Sequence, residues 1–282
     1  MKTKITFLIL LFSLNISSCQ QVRNMLVSQE EPTNNCPITD LDAETFLDNA
    51  GITDANMRCA VNVLTDDLKN SGLWSKMIAI YPFVGGTANS HKYNLKDPRD
   101  LDAAFRINYE NTPSHSSNGV ECLNGRLDTN IVPANDMILN DTSLSIYSLT
   151  DLNGAYADFI SLPTLQVYTR LSNLFLSDMY NVNGADARET ASNSNSQGFF
   201  TASRLPSVKH SLYKNGILLA SNNTTDGSLG ATNLFIGGRN INDSSERTYA
   251  FASIGTGLTD AEASTLYTIV QDFNTTLSRN VN

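Results

Sequence analysis

Three histidines, His91, His115 and His210, are the natural place to look for proton transfer in this 282-residue chain. A nucleophilic triad needs a serine presented beside one of them, and no Gly-x-Ser-x-Gly turn occurs. His115 lies in Thr112-Pro-Ser-His-Ser-Ser-Asn-Gly119, surrounded by hydroxyls. It could donate to a sugar hydroxyl or a ligand carboxylate, but the simpler expectation is a turn histidine bonded to its neighbours. His210 falls on a strand and reads as structural. Zinc is disfavoured, because Cys36, Cys59 and Cys122 have no CxxC spacing and the histidines are scattered. Asp128, Asp136, Asp141 and Asp151 are calcium ligands by residue type alone. They lack EF-hand spacing and read more simply as turn aspartates. No cofactor is expected, calcium being the one signal of any kind.

Binding chemistry is better represented. Holding a neutral polar ligand takes a few aromatic faces and a fixed set of amides and hydroxyls. Asn183, Asn193, Asn195 and Gln197 stand beside Phe199 and Phe200, and Arg239-Asn-Ile-Asn242 offers a second polar rim. The candidate ligand contacts are therefore His115, Asn183, Asn195, Gln197, Phe200, Arg239 and Asn240. Strand alternation sends one of Phe199 and Phe200 to the core, so only one can face a ligand. Trp74, the single tryptophan, is expected as a buried plug between helices and sheet.

The elements that must carry these residues follow from periodicity. Thr39-Asp-Leu-Asp opens a helix bearing Leu41, Phe46 and Leu47, which ends near Gly51. Thr53 is the expected cap of a second helix, with Met57, Val61, Leu64 and Leu68 on one face and Gly72 as its stop. Met77–Val84 reads as a buried strand. From there to about residue 254 the pattern predicts no helix, only short apolar runs separated by Gly, Asn, Asp and Ser. Runs such as Ala104–Tyr109, Leu144–Leu149, Leu165–Tyr168 and Tyr249–Ile254 predict a β-sandwich. Asn215-Gly216 between Leu212/Tyr213 and Ile217/Leu218 is a type I′ hairpin signal. Residues 181–197 read as a long polar loop. Thr259-Asp-Ala-Glu262 is a capping box, and Leu266, Ile269, Val270, Phe273 and Leu277 make the apolar face of a final helix.

Composition sets the compartment and the partners. The formal charge is −9 and no basic stripe occurs, so nucleic acid is not an expected partner. Lys2 and Lys4 precede the apolar run Ile5–Leu14, too short for a mature membrane span. Leu14-Asn-Ile-Ser-Ser-Cys19 then resembles a bacterial lipobox, which implies cleavage before Cys19 and its lipidation. The expected organisation is a signal peptide over 1–18, a tether over 19–37, a helical preface over 38–74 and a sandwich with its final helix over 75–282. Pairing among Cys36, Cys59 and Cys122 cannot be read from their number.

Lys209–Gly216, Asn233-Leu-Phe-Ile-Gly-Gly238, Tyr249–Gly255 and Gly257-Leu-Thr-Asp-Ala-Glu-Ala-Ser-Thr-Leu-Tyr267 together resemble the concanavalin A-like lectin/glucanase superfamily in its laminin-G-like form. The resemblance covers about residues 75–275 and implies a mainly β, two-sheet jelly-roll. Gly72–Thr87, His91–Lys96 and Phe251–Asp260 are also similar to phage structural and environmental bacterial proteins without an established activity. Retaining glucanases of the superfamily carry an E-x-D-x-x-E strand that aims paired carboxylates at one groove, and no such run occurs here. The expectation is a lipid-anchored, exported, non-catalytic module recognising a glycan or a surface protein, at the outer membrane or cell surface. The alternatives are a self-assembling phage-derived or virion protein and a glycan hydrolase.

Overall fold

The computed structural model describes residues 36–180, 188–207, 209–223, 227–240 and 242–281. Cys19 and Asn183 lie outside them. The chain begins with helices α1 (Leu41–Asn49) and α2 (Ala55–Asn70). Asp40 caps α1 by accepting from the amides of Asp42 and Ala43. Asp54, one residue beyond the expected Thr53, caps α2 and accepts from Met57 N at 2.8 Å. A carboxylate there satisfies an orphan amide and also meets the positive end of the helix dipole. Gly72, at φ 76°, turns the chain into a 3₁₀ turn, Leu73–Lys76. Trp74 in that turn is only half buried. It packs against the core between helices and sheet, with the ammonium groups of Lys69 and Lys96 5.0 and 4.1 Å from its ring centroid, so it is a partly exposed edge and not the fully buried plug expected.

Seventeen strands follow among the described residues. The first nine are β1 (Met77–Tyr81), β2 (Asn108–Asn111), β3 (Ser114–Ser116), β4 (Gly119–Glu121), β5 (Gly125–Asp128), β6 (Thr142–Ser148), β7 (Phe159–Ser161), β8 (Leu165–Leu171) and β9 (Leu174–Met179). The rest are β10 (Arg188–Ser192), β11 (Gly198–Arg204), β12 (Lys209–Lys214), β13 (Ile217–Asn223), β14 (Phe235–Ile236), β15 (Gly238–Asn240), β16 (Asp243–Ser244) and β17 (Thr248–Gly255). An eight-stranded sheet runs β13-β12-β11-β6-β17-β4-β3, with β1 also paired to β17, and a seven-stranded sheet runs β10-β9-β8-β7-β14-β5-β2. Every pairing is antiparallel, and β15 and β16 form a separate ribbon. Three expectations change. Arg188–Ser192 is a strand inside the segment read as a loop. Residues 85–254 contain two one-turn helices, α3 (Ala88–His91) and α4 (Pro133–Asp136). Asp102–Ala104 is a 3₁₀ turn, so the strand predicted from Ala104 starts only at Asn108.

Side-chain alternation assigns the layers. Leu144, Ile146, Phe200, Ala202 and Ile254 of the larger sheet meet Leu127, Phe159, Val167, Phe175 and Ile236 of the smaller one. Tyr147, Phe199, Tyr213 and Phe251 point the other way, onto Phe46, Leu64, Leu68, Leu266, Val270 and Phe273 of α1, α2 and the final helix α5 (Asp260–Thr276). Strand β6, covered on both faces, is buried at every residue. Asn215 and Gly216, at φ 49° and 73°, make the expected hairpin turn between β12 and β13. The Thr259–Glu262 capping box forms in both directions. Beyond α5, buried Arg279 donates to the carbonyls of Phe83, Pro82 and Ala250, and to Asn274 Oδ1. Burial lowers its guanidinium to about 9. Cys36 and Cys59 are disulfide-bonded, and Cys122 is a free, buried thiol.

Candidate functional site

The long helices all lie on the larger sheet, so the outward face of the smaller sheet is the one without a helical layer among the described residues. Alternation puts Glu110, Arg126, Asp128, Ile160, Gln166, Tyr168, Leu176, Asp178, Arg188 and Phe235 on it, since their neighbours fill the inter-sheet core. Ile160, Tyr168 and Leu176 form a thin apolar cluster, flanked by Leu171 and Phe235. Arginines cover it in place of helices. The Arg126 guanidinium stacks on the Phe235 ring, 3.6 Å from its centroid, and Arg239 Nη2 donates to the Tyr168 hydroxyl at 3.3 Å. Arg188 forms a two-pronged pair with Asp178, at 2.9 and 2.7 Å. Hydrogen bonding to that carboxylate raises the Arg188 pKa.

At the β7–β14–β5 end of this face lies a groove of about 210 Å³, lined by Arg126, Ile160, Leu162, Thr232, Asn233, Phe235 and Arg239. Ile160, Leu162 and Phe235 form an apolar floor. Thr232, Asn233 and the two arginines form a polar rim. An apolar floor with a few fixed polar groups suits a small polar ligand or one residue of a polymer. The carboxylates Glu110 and Asp178 on this face are each held by an arginine.

The sequence candidates are dispersed by the fold. Arg239 lines the groove. Asn240, its exposed neighbour on β15, accepts from Asn242 N at 2.8 Å. Phe200 is 1% exposed and packs edge-on to Phe175, while Phe199 is equally buried under α5, so neither can face a ligand. Asn195 Oδ1 accepts from Gln197 N, and Gln197 Nε2 donates to Leu149 O, at 2.8 and 2.9 Å. These amides tie their segment to the sheet. His115 lies in β3, not in a turn. Its Nδ1 is 3.0 Å from Nδ1 of buried His91, so one ring donates and the other accepts. Burial, reinforced by His115 and Arg279, brings the His91 pKa down to about 3, and burial lowers His115 as well. His210 is fully buried, with Nε2 3.1 Å from Ser177 Oγ.

The four aspartates weighed for calcium are engaged in local contacts. Asp128 accepts from Asn130 N and Asn233 Nδ2, and Asp136 from Val132 N. Asp141 accepts from Gly257 N, and Asp151 from Ser196 N and Arg170. No group of three or more His, Cys, Asp or Glu among the described residues is placed to hold a metal ion. Arg126, Ile160, Leu162, Thr232, Asn233 and Phe235 were not among the sequence candidates. The outward phase of Phe235 was available from alternation with buried Ile236, but a two-residue strand offers little pattern to read.

No family model matches the sequence, and no curated protein aligns with it. Solved structures do match. The botulinum neurotoxin serotype D ligand binding domain, in complex with N-acetylneuraminic acid, is 13% identical at a TM-score of 0.51, covering 70% of this chain and 52% of that one. The binding domain of botulinum neurotoxin DC, in complex with rat synaptotagmin II, is 12% identical at 0.50, covering 70% and 52%. Domain 4 of an extracellular arabinanase from Geobacillus stearothermophilus, in complex with arabinotriose, is 12% identical at 0.50, covering 68% and 98%. The match thus spans about half of the neurotoxin chains and nearly all of the arabinanase domain. Identities this low speak to the fold alone. The protein is a jelly-roll β-sandwich with a helical layer on one sheet.

Proposed function

We propose that this protein is a non-catalytic binding module that takes a glycan in the groove of the smaller sheet, exported and anchored through lipid on Cys19. The observation that carries the reading is the pairing of an apolar floor (Ile160, Leu162, Phe235) with fixed polar groups on the sheet face left without helices. The structural neighbours solved with arabinotriose and with N-acetylneuraminic acid support it as analogues of fold. Residues 36–282, the compact unit together with disulfide-bonded Cys36, are the portion to screen on a glycan array, with Phe235→Ala as the site control. Signal that disappears in the variant supports the reading, and blank arrays sink it. Fatty-acid labelling of wild type against Cys19→Ala tests the anchor, and equal labelling removes it.

Self-assembly is the second reading. Strand β13 is an edge of the larger sheet, and Ile217, Leu218 and Leu219 on it are 67%, 40% and 40% exposed. An exposed apolar edge is a template for pairing with another strand. Light scattering that shows a concentration-dependent oligomer, lost in Leu218→Lys, would favour it.

A further inference from the structure

The hydrogen-bonding capacity left over at the groove is unequal in sign. Arg126 uses Nε on Glu110 and Nη1 on the carbonyl of Arg239, both at 2.6 Å, which leaves Nη2 without a hydrogen bond among the described residues. Arg239 makes one long bond, to the Tyr168 hydroxyl, and no salt bridge among those residues. Its Nε and Nη1 make no hydrogen bond among the described residues. The nearby acceptors are mostly taken. Both Asp128 oxygens receive Asn233 Nδ2, at 2.9 and 2.8 Å, and Thr232 Oγ1 is engaged with Leu162 O and Ser161 Oγ. What remains around the apolar floor is mainly guanidinium N–H, with Asn233 Oδ1 and Glu110 Oε1 as acceptors that make no hydrogen bond among the described residues.

A neutral sugar presents hydroxyls that both donate and accept, so it would leave some of those N–H groups unmatched. A carboxylate only accepts, and its two oxygens fit a guanidinium fork. We propose that the groove selects a carboxylated sugar residue of the uronate class, its carboxylate held by Arg239 and the spare Nη2 of Arg126. This rests on the glycan-binding reading above. The net charge of −9 opposes acidic ligands at long range, so the selectivity acts at contact distance.

The test is titration of the full chain with trimeric galacturonate, guluronate and glucuronate, each beside its methyl ester and beside a neutral galactose trimer. At least one acid should bind about tenfold or more tightly than its own ester, the usual size of a charge-assisted hydrogen bond. Arg239→Gln should remove that ratio while leaving the melting temperature unchanged, because the side chain is exposed and makes one long bond. Esters and neutral trimers binding as well as the acids, with no change in Arg239→Gln, would overturn the acidic preference and leave glycan binding standing. If neither acids nor neutral sugars bind, the glycan reading falls and takes this inference with it.

Discussion

On the larger sheet the outward residues are Tyr147, Phe199, Tyr213 and Phe251, and three helices lie over them. On the smaller sheet the outward apolar residues are Ile160, Tyr168, Leu176 and Phe235, and arginine side chains reach over them. Both faces arise from the same two-residue alternation. They differ in what completes them: a helix seals an apolar face, whereas a guanidinium covers a ring and still presents donors to solvent. The first arrangement builds stability, and the second leaves a surface with guanidinium donors facing solvent.

The sharpest way to break that contrast is a matched pair of truncations. Phe199→Ala, in the sealed layer against Phe251 and Tyr267, should cost about 3–5 kcal/mol in urea unfolding. Next in size is acid sensitivity at His91, which packs against Phe83 and His115 at the margin of the inter-sheet core. His91 has a folded pKa lowered to about 3, below its ordinary 6.5, so the unfolded chain binds the proton first as pH falls. Its contribution is complete above about pH 6.5 and is lost on descent toward pH 3, at up to about 1.4 kcal/mol per pH unit. His91→Gln should flatten that slope in unfolding curves taken at several pH values, and an unchanged slope would assign the acid lability elsewhere. Phe235→Ala, on the open face, should cost only about 1–2 kcal/mol yet abolish glycan binding. Equal losses for Phe199→Ala and Phe235→Ala would mean that both faces are structural. Leu162→Ala, 40% exposed at the groove, should change stability by about 0.5 kcal/mol or less while weakening binding.

Local signals carried the fold well. Asn215-Gly216 turned where two positive-φ residues were needed, and Thr259 with Glu262 capped α5, because both depend on backbone geometry within four residues. The site was much less legible. Arg126 and Phe235 are separated by more than a hundred positions and meet only because β14 pairs with β5, a register that no local pattern encodes. Polar residues in loop-like runs drew attention to Asn195 and Gln197, but Asn195 Oδ1 and Gln197 Nε2 already bond to backbone and hold the segment in place. Residue type suggested a contact there, whereas satisfaction of each polar group decides whether one is available. His115 failed for a related reason: its partner, His91, lies 24 positions away and across a turn of helix.

The position of β17 has a consequence for how the molecule is made. Residues 248–255 form an inner strand of the larger sheet, paired with β6, with β4 and with β1 near the other end of the compact unit. Arg279 then fastens the carbonyls of Pro82, Phe83 and Ala250. A chain emerging N-terminus first would lack this inner strand of its sheet until residue 255 had appeared. Contacts of such long sequence separation make for slow closure. The nascent chain should therefore stay open, and vulnerable to proteolysis, until residues 248–279 have emerged, and then become resistant in one step.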